Sequence, residues 1–439
     1  MAIVLCAGAR TAQAQGTRDD PNAPPPVQWF RGVAPVLGQG IGLRGVSPVN
    51  ESMAGVAVAC PIDAAGALHW NPASISGLPC SEASVSVQVV LPTSQLSASS
   101  PANTQFPVAV AGATYSEPCA FALPSLAFVH RDHDSPVSFG VGMFGIGGSE
   151  VDYSISTNPA FAAGALGRLA VSVNIIEIVG AVSCALTDRL SVGIAPTITR
   201  TELVADRMWL LPAGSSSYAY DPTTRHLLGG GVQGGIFYTT DAGWQFGASL
   251  KSPQWMEPLH YRTTGAQNQV SDAVFRFSYP LTAAVGVAYA GFDRWLLACD
   301  LRYFNYAGAT GFGTPAFTPS GTLNGLGWYD VCSLAAAVQR QVTDRLSWRL
   351  GYCYNDCPIG NGRVATLSAA MPLVTQHSLH TGVSYVFGQQ WIVSVAYAHC
   401  FENTVAGPIL DSTSSPIAGT RVASRVSGDV FSMGVTKRF

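Results

Sequence analysis

Apolar segments of about ten to fifteen residues alternate along this chain between very short polar turns and long loops rich in Gly, Ser and Pro, the linker asymmetry of an outer-membrane β-barrel. The tight turns are Asp132-His133-Asp134-Ser135, Thr187-Asp188-Arg189, Thr240-Asp241-Ala242-Gly243, Gly291-Phe292-Asp293, Thr343-Asp344-Arg345 and Gly388-Gln389-Gln390. Each supplies Asp, Gly or a Gly-Gln pair where a reversal needs positive φ or a side chain bonded to backbone. Long connections lie near 92–120, 149–168, 203–228, 257–273, 307–328, 356–375 and 402–426. Seven long loops and six short turns predict about fourteen strands.

Charged residues make up 11% of the chain, against about 25% in ordinary soluble domains. No clean apolar run of about 20 residues offers a membrane-spanning helix. The nearest candidate, Leu169 to Thr187, is interrupted by Asn174 and Glu177 and is rich in Val and Ile, which favours strand. Only helices and closed barrels satisfy backbone hydrogen bonds in lipid, so the barrel remains. The net charge of −3 and 23 scattered Lys and Arg residues give no footprint for nucleic acid.

Period-two alternation supports this assignment. Leu346, Trp348, Leu350 and Tyr352 would face lipid while Ser347, Arg349, Gly351 and Cys353 face inward. Trp244, Phe246 and Leu250 oppose Gln245, Ser249 and Lys251, and Trp295, Leu297, Leu301 and Tyr303 oppose Asp300 and Arg302. The last segment ends on Phe439, with Lys437 departing from the pattern on its lipid side. The expected strands are 81–91, 121–131, 136–147, 172–186, 190–202, 229–240, 243–256, 274–290, 294–306, 329–342, 345–355, 376–387, 391–401 and 427–439.

Residues 1–14 are expected to be a signal peptide, an apolar stretch ending in an Ala-x-Ala site at Ala14, although its basic leader is missing. Residues 15–28, with Pro21, Pro24, Pro25 and Pro26, read as a flexible lead-in. From 29 to 80 the chain turns to Gly, Ala and Val without strand alternation. A periplasmic tail would leave Val56, Val58, Leu68, Trp70 and Leu78 in water, whereas a plug inside a barrel spanning 81–439 would bury them. Ten cysteines are many for an exported barrel. Cys60 with Cys80 and Cys353 with Cys357 are the pairs that could bridge, and small packing residues are the default reading.

The stretch Met53-Ala54-Gly55-Val56-Ala57-Val58-Ala59, then Leu68-His69-Trp70-Asn71-Pro72-Ala73, resembles the hatch of the FadL-type outer-membrane transporters of long-chain fatty acids and aromatic hydrocarbons, whose Asn-Pro-Ala motif follows an aromatic residue. Val85-Ser86-Val87 to Leu91-Pro92-Thr93-Ser94 is similar to that family's first strand. The resemblance implies an all-β, fourteen-stranded transmembrane barrel plugged by an N-terminal hatch, with Asn71, Pro72 and Ala73 as the hatch motif. It further implies passive, cofactor-free carriage of hydrophobic molecules from a loop groove to a lumen site and out through a kink in the third strand, where Gly140, Gly142 and Gly145 are the candidates.

Ligand-contact candidates in the long loops are Leu203, Met208, Trp209, Leu211, Trp255, Met256, Leu259 and Tyr261, although Trp255 and Tyr261 suit an interfacial aromatic girdle equally. Inward Lys251, Arg302 or Arg349 could hold a carboxylate head group, or pair with inward acids such as Asp300. Expected partners are a hydrophobic ligand, outer-membrane lipid of a Gram-negative-type cell and the barrel assembly machinery, for a monomer that is not an enzyme. His130 and His133 with Asp132 and Asp134 fall on a turn, so no metal is assigned; His377 and His380 show no serine or carboxylate setting in the sequence. A structural or adhesive barrel and an outer-membrane hydrolase are the rival readings.

Overall fold

The structure is a computed structural model that describes residues 38–103, 108–116, 120–132, 134–153, 169–206, 218–219, 221–264, 270–315, 325–410 and 415–439, without the side chains of 169, 205–206, 218–219, 221–223, 261–264 and 270–273. The expected signal peptide and lead-in lie outside these residues.

Fourteen antiparallel strands close into a barrel. They are β1 (Glu82–Ser100), β2 (Phe121–Arg131), β3 (Val137–Tyr153), β4 (Leu169–Ala185), β5 (Leu190–Asp206), β6 (Asp221–Thr239), β7 (Trp244–Lys251), β8 (Leu281–Tyr289), β9 (Trp295–Asn305), β10 (Val331–Gln341), β11 (Leu346–Asn355), β12 (His377–Phe387), β13 (Trp391–Gly407) and β14 (Arg421–Arg438). Each pairs with its sequence neighbours, and β1 closes on β14 from Glu82 opposite Arg438 to Ser99 opposite Arg421. Closure joins the two ends of the sheet, which lipid demands.

The six expected turns all join consecutive strands at one end. Three share a Thr-Asp pattern with one mechanism. Thr187 Oγ1 accepts from Leu190 N, Thr240 Oγ1 from Trp244 N and Thr343 Oγ1 from Leu346 N, each at 3.0 Å, replacing ladder bonds lost at the reversal. Gly243 and Gly388 adopt positive φ, 83° and 67°.

The long-loop end departs from expectation. β1 runs on to Ser100 and Val110–Tyr115 pairs back onto it, so the span read as loop 92–120 is largely strand. The span 257–273 contains a hairpin, Leu259–Thr264 against Val270–Phe275. These extensions carry Ser and Thr instead of an apolar lipid face, so periodicity does not reveal them. The strands expected over 243–256 and 274–290 break at Pro253 and Pro280, leaving Gln254–Met256 and Ser278–Tyr279 as short separate pieces; proline cannot donate to the ladder.

The lipid-facing sets are as expected. Along β13, exposed Trp391, Val393, Val395 and Tyr397 alternate with buried Ile392, Ser394, Ala396 and Ala398. Lys437 lies 4.6 Å from the Phe439 ring centroid and 5.6 Å from that of Trp391, so its ammonium sits among aromatic faces at the rim.

Residues 38–80 fold against the inner wall. Helix α1 (Pro48–Ser52) is capped by Ser47, α2 (Ala64–Trp70) by Asp63, and a 3₁₀ turn (Pro72–Gly77) by Asn71. Helices this short do not persist alone, so packing holds them. Small wall residues make the packing close: a Cβ at Gly247 would lie 2.0 Å from Val58 O, and one at Gly235 2.0 Å from Asn71 Oδ1. Cys60, Cys80, Cys184, Cys299, Cys332, Cys353 and Cys357 are free thiols. Neither suggested bridge forms: Cys60 and Cys353 are packed in one buried cluster between residues 53–60 and the wall, while Cys357 packs against a different cluster. A short helix, α3 (Arg363–Leu367), lies within the connection 356–375.

Candidate functional site

Residues 38–80, the segment expected to be the hatch, are held to the wall by buried charges. Asp300 Oδ2 on β9 accepts from Ala57 N at 2.9 Å, Val58 N at 3.1 Å and Arg302 Nη2 at 2.9 Å. Arg302 also donates to Gly55 O and lies 3.8 Å over the Trp70 ring centroid. On the other side, Glu82 Oε2 accepts from Ala64 N at 3.2 Å while its Oε1 takes Arg438 Nε at 2.8 Å. Burial pushes the Asp63 carboxyl up, against the bonds it accepts from Ser47 and Gly66, and drives the His69 imidazole down, toward its neutral form.

His380 has the setting its sequence context does not reveal. Ser378 Oγ lies 2.7 Å from His380 Nε2, and Glu51 Oε1 of α1 lies 3.1 Å from His380 Nδ1; Glu51 Oε2 accepts from Gln88 Nε2 at 3.0 Å. The carboxylate comes from 329 positions upstream, across the lumen, where only the fold brings it. The order resembles a nucleophilic relay, yet Ser378, His380 and Glu51 are 0%, 1% and 3% exposed and line neither chamber below. The trio ties α1 to β12.

Asn71 has a definite place. Its Nδ2 donates to Val58 O at 2.8 Å and to Ile236 O of β6 at 3.0 Å, and its Oδ1 accepts from Ala73 N at 3.0 Å. Pro72 opens the 3₁₀ turn, where its missing N–H is harmless, and Ala73 O accepts from Ser183 Oγ of β4 at 3.0 Å. Asn71→Ala is expected to take the side-chain partner from Val58 O and from Ala73 N at about 1–3 kcal/mol each, loosening this segment while the barrel still assembles. Hydrophobic uptake lowered with an unchanged heat-modifiable barrel band would agree; unchanged uptake would contradict a gating hatch.

Two apolar chambers lie above the hatch. The one among the loops, about 50 Å³, is lined by Leu203, Leu259, Phe277, Phe312 and Met371 among others. A lumen chamber of about 90 Å³ is lined by Trp70, Ile175, Glu177, Gln233, Lys251 and Tyr306 among others. Both are bounded by Ile41 and Tyr279. The Phe312 ring centroid lies 6.0 Å from that of Tyr279, 5.8 Å from Tyr306 and 5.0 Å from Trp328, an aromatic wall built by the β9–β10 connection and Tyr279.

Ile41 belongs to the segment that leads into the hatch. Leu43 N donates to Ile146 O at 2.7 Å and Gly148 N to Ile41 O at 3.3 Å, so this segment adds itself to β3. Its other side is held by Tyr306, whose hydroxyl accepts from Ile41 N and donates to Gln39 O, both at 3.0 Å. At that level β3 bulges against β4: Gly145 pairs with Ile176 and Gly147 with Ile175, leaving Ile146 extra. The β2 pairing ends at Phe144, so past the bulge β3 has the hatch segment in place of β2. Gly145 flanks this bulge, whereas Gly140 and Gly142 sit in regular ladder opposite Val129 and Ala127.

The remaining contact candidates divide. Met208, Trp209 and Leu211 and the Tyr261 side chain lie outside the described residues. Met256 packs against the core, while Trp255 points outward and is 62% exposed. Lys251, Arg302 and Arg349 all face inward and all have partners: Lys251 Nζ bonds Glu177 Oε2, Arg302 bonds Asp300, and Arg349 donates to Gln339 Oε1 at 2.6 Å and Ser384 Oγ at 2.7 Å. Sequence reasoning missed Ile41, in the expected plug, Tyr279, in the expected strand 274–290, and Phe312, an aromatic residue inside the long connection 307–328.

Solved structures share the architecture. The P. putida toluene transporter TodX superposes with a TM-score of 0.68 at 14% identity, covering 90% of this chain and 99% of its own. A Pseudomonas aeruginosa FadL homologue gives 0.68 at 15% identity over 91% and 100%, and the Ralstonia pickettii toluene transporter TbuX 0.61 at 16% over 90% and 99%. A comparison with curated proteins gives no match. The sequence profile of the outer membrane protein transport protein family (OMPP1/FadL/TodX) matches residues 38–439, which are hatch and barrel together, and the chain belongs to that family of outer-membrane β-barrels.

Proposed function

We propose that this protein carries hydrophobic small molecules passively across the outer membrane, capturing them in the loop chamber, passing them to the lumen chamber and releasing them sideways at the β3 bulge. Transfer of apolar surface from water gains about 25 cal/mol per Å², so an apolar route outperforms an aqueous pore for such cargo. The observation that carries this reading is the position of Ile41, which borders both chambers and is bonded to the bulged strand. Moving this one segment would join the chambers and uncover the gap beside β3. The structural relatives include a toluene transporter and a monoaromatic hydrocarbon channel, and the same broad class suits the chambers here.

Gly147→Val tests the exit. A Cβ at Gly147 would lie 2.1 Å from Ile41 O, against backbone that cannot yield without leaving β3. Basal entry of a neutral hydrophobic probe into cells is expected to rise several-fold, while Gly180→Ala, where a Cβ meets nothing within 4 Å, leaves entry unchanged. Equal entry in both variants would place the exit elsewhere.

A further inference from the structure

We propose, resting on the transport reading above, that the lumen chamber selects uncharged cargo bearing one hydroxyl group, such as an alkylphenol, and discriminates against carboxylates of the same skeleton. The only cation lining this chamber is Lys251 among the described residues, and its ammonium is bonded to the buried carboxylate of Glu177. The pair is neutral in sum. An entering carboxylate would meet the second Glu177 oxygen, Oε1, which has no hydrogen-bond partner and faces His69 Nδ1 at 3.4 Å. Bringing a second anion beside a buried carboxylate is unfavourable on both desolvation and repulsion. Arg302 offers no alternative, because its charge is committed to Asp300 and Gly55 O and its face to Trp70. Arg349 lies outside the chamber lining.

Two neutral polar atoms of the chamber's lining residues are, by contrast, unpaired. Gln233 Nε2 donates to Trp70 O at 2.9 Å, which orients the amide, and leaves Gln233 Oε1 buried without a partner. Trp70 Nε1 is likewise buried and without one. Both residues line the chamber and are 2% and 5% exposed. One acceptor and one donor are the complement of a hydroxyl, which donates and accepts at once. Unmade bonds in a buried site favour the ligand that makes them, and a site built to bond a hydroxyl discriminates against the analogue lacking it.

The test uses three probes of one skeleton, 4-butylphenol, 4-butylbenzoate and butylbenzene, with purified full-length protein for binding and whole cells for uptake. In the wild type, butylphenol is expected to bind at least tenfold more tightly than butylbenzoate and more tightly than butylbenzene. Glu177→Gln, which releases the Lys251 charge, should narrow the phenol-to-benzoate ratio about tenfold. Gln233→Leu should erase the preference of phenol over butylbenzene while butylbenzene binding persists, a readout that separates lost selectivity from a misfolded protein. Equal binding of phenol and benzoate in the wild type would overturn the proposal while leaving transport standing. Exclusion of all three probes from both binding and uptake would overturn the transport reading itself.

Discussion

Replacing Asp300 with alanine is expected to detach the hatch from β9 while the barrel persists. One carboxylate oxygen there accepts from two successive hatch amides, Ala57 and Val58, and from Arg302. Removing it orphans both amides and leaves a fully buried guanidinium whose remaining contacts are Gly55 O and the Trp70 face. Breaking a buried pair from one side typically destabilises by roughly 3–5 kcal/mol, and here that loss falls on hatch-to-wall contacts. Ladder bonds between β8, β9 and β10 do not involve the side chain. Amide exchange at Gly55 to Val58 should therefore accelerate by two orders of magnitude or more, while exchange in β9 stays slow. Protection retained at Ala57 and Val58 would show that the clamp does not hold the hatch.

Removing residues 38–80 has a larger expected effect, because the wall behind them carries many polar side chains among its small apolar ones. Its inward faces present Gln88, Ser183, Gln233, Asp300, Arg302, Ser333, Ser378 and Ser432, all buried in the intact chain. Val46, Leu68 and Ile75 of this segment pack on Ala127, Val179 and Ala195 of the wall, and Met53 and Val56 on Ala288 and Ala335. Without it, water would fill a lumen wide enough to need a plug, turning an apolar relay into an aqueous pore. The outer, lipid-facing surface is untouched, so insertion is expected to proceed.

Much of this architecture is legible in the chain. Thr187, Thr240 and Thr343 mark reversals through local hydrogen bonds that depend only on nearby residues, and β2 matches its expected bounds because alternation runs through lipid, where every outward side chain must be apolar. Above the membrane that constraint lapses, so the polar end of β1, Ser97 to Ser100, is silent in the sequence. The motif Trp70-Asn71-Pro72-Ala73 locates the hatch, but the partners of Asn71 are residues 58 and 236, fixed by folding alone. The same applies to Glu51 with His380 and to Glu177 with Lys251: inward acids are visible as interruptions of apolar segments, yet which base each one meets depends on how the hatch crosses the lumen. The kink candidates show the limit most clearly, since Gly140, Gly142 and Gly145 are equivalent in sequence and only Gly145 borders the bulge.

The central claim is that residues 38–80 form a plug that turns a polar cylinder into a gated hydrophobic passage. Planar-bilayer conductance and hydrophobic-probe uptake, measured together on the intact protein and on the form lacking 38–80, test it most directly. The account predicts little conductance with measurable uptake for the intact chain, and a large ohmic conductance with loss of probe selectivity for the deleted form. Low conductance in the deleted form with unchanged uptake would contradict it.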